Sequence, residues 1–138
     1  MKPSFAVRRI VVMTITIALM FAIPAGAQDT EILEVAKAVI CKNIANREAA
    51  APGTSFAAST AKLYCYSRII DVEQPSQIFH VWVYQDEERA RVSLKVNPPS
   101  WRTYSSKIIQ THETGPWHVD ILDTAGNVLK TLPFNITP

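Results

Sequence analysis

The sequence predicts a small all-β sandwich behind an export leader. Three observations carry that expectation. The first 27 residues have the layout of a secretory signal peptide. From Lys62 onward, apolar and polar residues alternate with a period of two in run after run. Turn-forming residues break those runs roughly every ten residues, the spacing of an immunoglobulin-like sandwich of about seven strands.

The leader comes first. Lys2, Arg8 and Arg9 make a basic start, and Ile10 to Ile23 is an uncharged, mostly apolar run of 14 residues. Pro24 breaks it, and Ala25-Gly26-Ala27 supplies the small-x-small pattern read by signal peptidase. The alternative is an uncleaved membrane anchor, but a spanning helix needs about 20 apolar residues, so length and flanks both favour cleavage before Gln28. No cysteine stands at the cleavage point, so lipid attachment there is not expected. The division is therefore 1–27 signal peptide, 28–34 lead-in and 35–138 a single domain, in a periplasmic or secreted protein.

Cleavage changes the charge. Three of the 14 basic residues lie in the leader and none of the 12 acidic ones does, so the remainder is near neutral at −1 rather than +2. Nucleic-acid binding, which needs clustered Lys and Arg, is not expected. Membrane contact is expected only through the leader if it stays uncleaved. Cys41 and Cys65 both lie in the mature part, and an oxidising compartment favours a disulfide between them. The alternative is two separate buried thiols, and geometry decides, because bonded Cα atoms must lie within about 7 Å. Two cysteines and three scattered histidines show no close ligand pairs, so neither metal nor cofactor is expected.

The elements follow in order. Leu33 to Ile44 fits either a helical stripe or a strand buried on both faces, and the β-rich remainder favours the strand. Asn46 to Thr60 reads as a loop or edge segment with Pro52-Gly53, and Phe56 plugs one end of the core. Leu63, Cys65, Ser67 and Ile69 alternate with Tyr64, Tyr66, Arg68 and Ile70. Phe79, Val81 and Val83 alternate with His80, Trp82 and Tyr84. Ala90, Val92, Leu94 and Val96 alternate with Arg89, Arg91, Ser93 and Lys95. Asn97-Pro98-Pro99-Ser100 stops that run. Trp101 to Gln110 is rich in aromatic and β-branched residues. Trp117 to Leu122 and Val128 to Ile136 flank a hairpin loop at Asp123 to Asn127.

Several segments then carry a resemblance. They are Cys41-Lys42-Asn43-Ile44, Asn46-Arg47-Glu48, Gly53-Thr54-Ser55-Phe56, Tyr64-Cys65-Tyr66, His80-Val81-Trp82 and Trp101-Arg102-Thr103-Tyr104-Ser105-Ser106-Lys107, followed by Gly115 to Val119 and Asp123 to Gly126. Together, over about residues 36–136, they are similar to the bacterial domain-of-unknown-function family 2914. The Trp101–Lys107 string is the specific part. The resemblance implies an envelope-associated bacterial module and supplies no catalytic residues.

The densest group of recognition-capable side chains is Trp101, Arg102, Tyr104 and Lys107. On a strand, Trp101, Thr103, Ser105 and Lys107 share one face, and Arg102, Tyr104 and Ser106 the other. An Arg beside an aromatic ring can stack, grip a carboxylate with two hydrogen bonds, or hold a sugar. The ordinary alternative is that Trp101 packs and Arg102 pairs with a local acid. His80, Trp82 and Tyr84 form a second aromatic strip, expected to pack. Ser105 or Ser106 with His112 or His118 and Asp120 has the inventory of a hydrolase triad, but no nucleophile elbow accompanies it. The expectation is a non-catalytic envelope binding or interaction module whose partner is an envelope protein or glycan. A structural accessory domain of an envelope complex and, less favoured, a small hydrolase are the alternatives.

Overall fold

The computed structural model describes residues 32–138, so the signal peptide and most of the lead-in lie outside the described residues. Nine strands follow in order: β1 (Glu34–Ala45), β2 (Glu48–Gly53), β3 (Ser55–Ala57), β4 (Lys62–Ile70), β5 (Ser76–Tyr84), β6 (Glu87–Val96), β7 (Trp101–Ile108), β8 (Gly115–Leu122) and β9 (Val128–Thr137). They form two sheets, ordered β2-β1-β4-β7 and β3-β9-β8-β5-β6. All pairs are antiparallel except β3 on β9. With β1-β4-β7 facing β9-β8-β5-β6, the chain is an immunoglobulin-like all-β sandwich.

The seven expected strands are present. The ambiguous segment 33–44 is a strand, as the β-rich remainder favours. The segment 46–60 adds β2 and β3, both on sheet edges, where Pro52 is tolerated because an edge residue needs no ladder N–H. Asn46 and Arg47, both at positive φ (52° and 62°), make the two-residue turn between β1 and β2. Phe56 is buried, as expected of a core plug, and packs edge-on to Phe134.

The core lies between the sheets. Leu63, Cys65 and Ile69 of β4 face Ile78 and Trp82 of β5, with Val119 and Ile121 of β8 and Phe134 and Ile136 of β9. Its centre is polar. Ser67 of β4 and Ser105 of β7 both bond His80 of β5, at 2.7 Å to Nε2 and Nδ1 respectively, and Trp82 Nε1 donates to Ser105 Oγ at 3.1 Å. Because Ser105 accepts from Trp82, its own proton can go to His80 Nδ1, leaving Nε2–H to donate to Ser67. A neutral imidazole thus satisfies the whole group and ties the two sheets together. Burial pushes the His80 pKa down to about 4.

The expected Cys41–Cys65 disulfide is absent: both thiols are free and buried. The register explains it. Ile40 pairs with Cys65 and Cys41 with Tyr64 across β1 and β4. Directly opposed residues share a face and neighbours alternate, so Cys65 points into the core and Cys41 to the outer side of the same sheet. Burial raises the pKa of each thiol.

Candidate functional site

Strand β7 alternates as its composition predicts. Ser105 points inward to His80, so Trp101, Thr103 and Lys107 share the inner parity, while Arg102, Tyr104 and Ser106 point outward. The four residues expected to act together are therefore split. Trp101 is half-buried against the core, and the Arg47 guanidinium lies 6.0 Å from its ring centroid. Lys107 is half-buried and donates to the Ile108 carbonyl at 2.9 Å. Arg102 and Tyr104 remain together on the exposed face, Tyr104 at 50 % exposure.

The register across three strands builds a site around that pair. Lys37 of β1 lies directly opposite Arg68 of β4, which lies directly opposite Arg102 of β7. Three cations thus stand in one line across the sheet. The next row holds Val39, Tyr66 and Tyr104, and the row after it Cys41, Tyr64 and Ser106. Tyr64 and Tyr104 meet edge-to-face with centroids 6.0 Å apart. Lys37 lies 5.8 Å over the Tyr66 ring and Lys62 5.2 Å over the Tyr64 ring, contacts that hold the lysine stems down on the face.

Glu48 is the carboxylate that enters this row, paired with Arg102. It arrives from the turn end of the β1–β2 hairpin, which reaches past β4 to β7 and also brings Arg47 to Trp101. The contact with Arg102 lowers the Glu48 pKa. Tyr66 is outward by parity yet only 1 % exposed, and its hydroxyl makes no well-aligned hydrogen bond, with the Glu48 carboxylate the acceptor beside it. Burial, then Glu48, raises the Tyr66 pKa, while Arg102 and Arg68 act in the opposite sense. Glu48, Arg68, Ser100 and Arg102 line a polar depression of 230 Å³ on this face. Among the described residues, neither Lys37 nor Arg68 has a carboxylate within 4.0 Å.

The outer face of the other sheet differs. There Arg91 pairs with Glu88 at 2.7 Å and His118 with Asp120 at 3.4 Å, while Thr131 donates to Asp120 and Ser93 to Gln77. These groups are matched locally, while Lys95, on the same face as Ser93, stands without a carboxylate within 4.0 Å among the described residues. The line of three adjacent cations belongs to the β1-β4-β7 side.

Of the hydrolase arrangement, His118 meets Asp120 at 3.4 Å, but neither serine joins that pair. Ser105 is bonded to His80 inside the core, where it is 4 % exposed, and not to His112 or His118. Ser106 and His118 lie on the outer faces of opposite sheets. His80 and Trp82 pack at the centre, as expected of that strip, and Tyr84 stacks on Trp117 at 4.7 Å. The line Lys37–Arg68–Arg102 escapes a reading by single strands, because only the register joins three distant cations. Alternation alone does put Arg68 outward.

A search of curated proteins finds no match. The model of the family described as "Protein of unknown function (DUF2914)" matches residues 75–136, which span β5 to the end of β9 and include the Trp101–Lys107 string. Lys37, Glu48 and Arg68 lie outside the matched segment, as do the resembling segments before residue 75. Over residues 75–136, then, this chain resembles the DUF2914 family of proteins of unknown function.

Proposed function

We propose that the chain is an exported, non-catalytic interaction module of the bacterial envelope, and that it makes contact through the outer face of the β1-β4-β7 sheet. The basic start, the apolar run and the Ala25-Gly26-Ala27 site support export. The observation that carries the contact face is the line of Lys37, Arg68 and Arg102, with a single paired acid, beside an exposed tyrosine. Side-by-side cations repel and are retained at a cost to the fold, which fits a surface completed by something outside the chain.

Co-purification from envelope extract of the host tests this reading. The bait is the wild-type chain, an Arg102→Ala/Tyr104→Ala variant, or Arg91→Ala on the opposite sheet as control. Material named by mass spectrometry should be held by wild type and Arg91→Ala and lost by the double variant at unchanged thermal stability. Equal recovery by all three would put the contact elsewhere. Loss only on blocking the free ladder edge of β2, β3, β6 or β7 would favour the accessory-domain reading, in which strands pair edge to edge.

A further inference from the structure

We propose that this face binds an acidic glycan, seating a sugar-borne anion between Arg68 and Arg102, and that Glu48 occupies that position when the face is empty. The inference rests on the reading of this face as the contact surface. Three features lead to it.

The first is charge. Arg68 and Arg102 stand opposite each other with Cβ atoms about 5 Å apart, a spacing that lets two guanidinium groups grip one carboxylate or phosphate. Only Arg102 has its anion, and that anion is Glu48 from the hairpin turn. The Glu48 side chain is 46 % exposed, so exchanging it for a ligand's anion buries no new charge on the protein. The second feature is the Tyr66 hydroxyl. It is buried among Glu48, Arg68 and Arg102 without a well-aligned hydrogen bond, and the Glu48 carboxylate is the acceptor beside it. A ligand anion that displaces Glu48 from between the arginines takes over as that acceptor, so the hydroxyl is not left unpaired. The third is the surface itself. A peptide added to the free edge of β7 would lie beside the sheet and would not reach Arg68 on β4, whereas a ligand on the outer face meets Arg68 and Arg102 together. The face can recognise a ligand by rings and charges, and Tyr104 offers a half-exposed ring beside the depression. A sugar ring on Tyr104 and its anion on the arginines match that layout. Near-neutral total charge keeps the attraction local, which disfavours nucleic acid.

Calorimetric titration of the purified chain tests the proposal. The probes are a galacturonate oligomer, a phosphorylated mannose oligomer, the neutral galactose oligomer and a polyglutamate peptide. Either acidic sugar should bind, and which one binds better identifies the anion as carboxylate or phosphate. The neutral sugar and the peptide should bind at least about tenfold more weakly. Arg68→Gln should weaken binding about tenfold, and Glu48→Gln should tighten it about threefold by vacating the site. Thermal unfolding of each variant separates a lost contact from a lost fold. Equal binding of neutral sugar or polyglutamate would overturn the ligand class. Absence of acidic-sugar binding by both wild type and Glu48→Gln would overturn it too. If co-purified material still depends on Arg102 and Tyr104 in that case, the contact face stands and only the ligand class fails.

Discussion

Arg68 stands between Lys37 and Arg102, and like charges directly opposite on neighbouring strands repel. Arg68→Gln removes both repulsions while keeping most of the side-chain stem. The variant is expected to be more stable by about 0.5 kcal/mol, read as a rise of about 2–4 °C in Tm. A fall of that size would make Arg68 a structural residue. His80 makes the opposite kind of prediction. Its pKa is about 4 in the folded chain, against an ordinary value of 6.5. Between those values the unfolded chain binds the extra proton, so this contribution is complete above pH 6.5. It is lost as pH falls toward 4, by about 3 kcal/mol in all. Denaturant unfolding across that window should show the slope. His80→Gln, which still offers a donor and an acceptor, should be less stable at pH 7 and nearly flat between pH 6.5 and 4. An unchanged slope in the variant would place the titration elsewhere.

The β1–β2 hairpin is the element on which sequence and structure part company. Alternation from Lys62 onward places the later strands, because the patterned side chains report directly which face is buried. Residues 46–60 lack that signal. Alanines and Pro52 pack and pair at an edge without a periodic pattern, so β2 and β3 leave little trace in composition. The cysteines fail for a related reason. Compartment chemistry argues for a bond, but the β1–β4 register, which depends on a distant pairing, sends the two side chains to opposite faces. Intact mass of the unreduced chain should therefore show two free thiols, both alkylated only after unfolding. A mass lower by two hydrogens would contradict this register. At the candidate site, Arg102 and Tyr104 were legible from β7 alone. Lys37, Arg68 and Glu48 were not, because they join the site only through cross-strand pairing and the reach of the hairpin turn.

At the scale of the molecule, the sandwich sorts its polar groups into three places. The Ser67–His80–Ser105 group and the Trp82 indole lock the sheets together from inside. Arg89 with buried Glu113 secures the segment between β7 and β8, where the Glu113 backbone carbonyl also accepts from Trp117. The outer faces then differ: one carries locally matched pairs with Lys95 standing apart, and the other carries the line of three adjacent cations. That asymmetry is the central claim about function, and it is open to a direct test. A photo-reactive residue placed at Ser106, on the cationic face, is compared with one at Ser93, on the opposite face. Both positions are exposed. After illumination in envelope extract of the host, adducts are mapped by mass spectrometry. The account predicts strong labelling of a defined partner or glycan from Ser106 that is lost in Arg102→Ala, with little from Ser93. Equal labelling from both sites, or labelling only from Ser93, would contradict it.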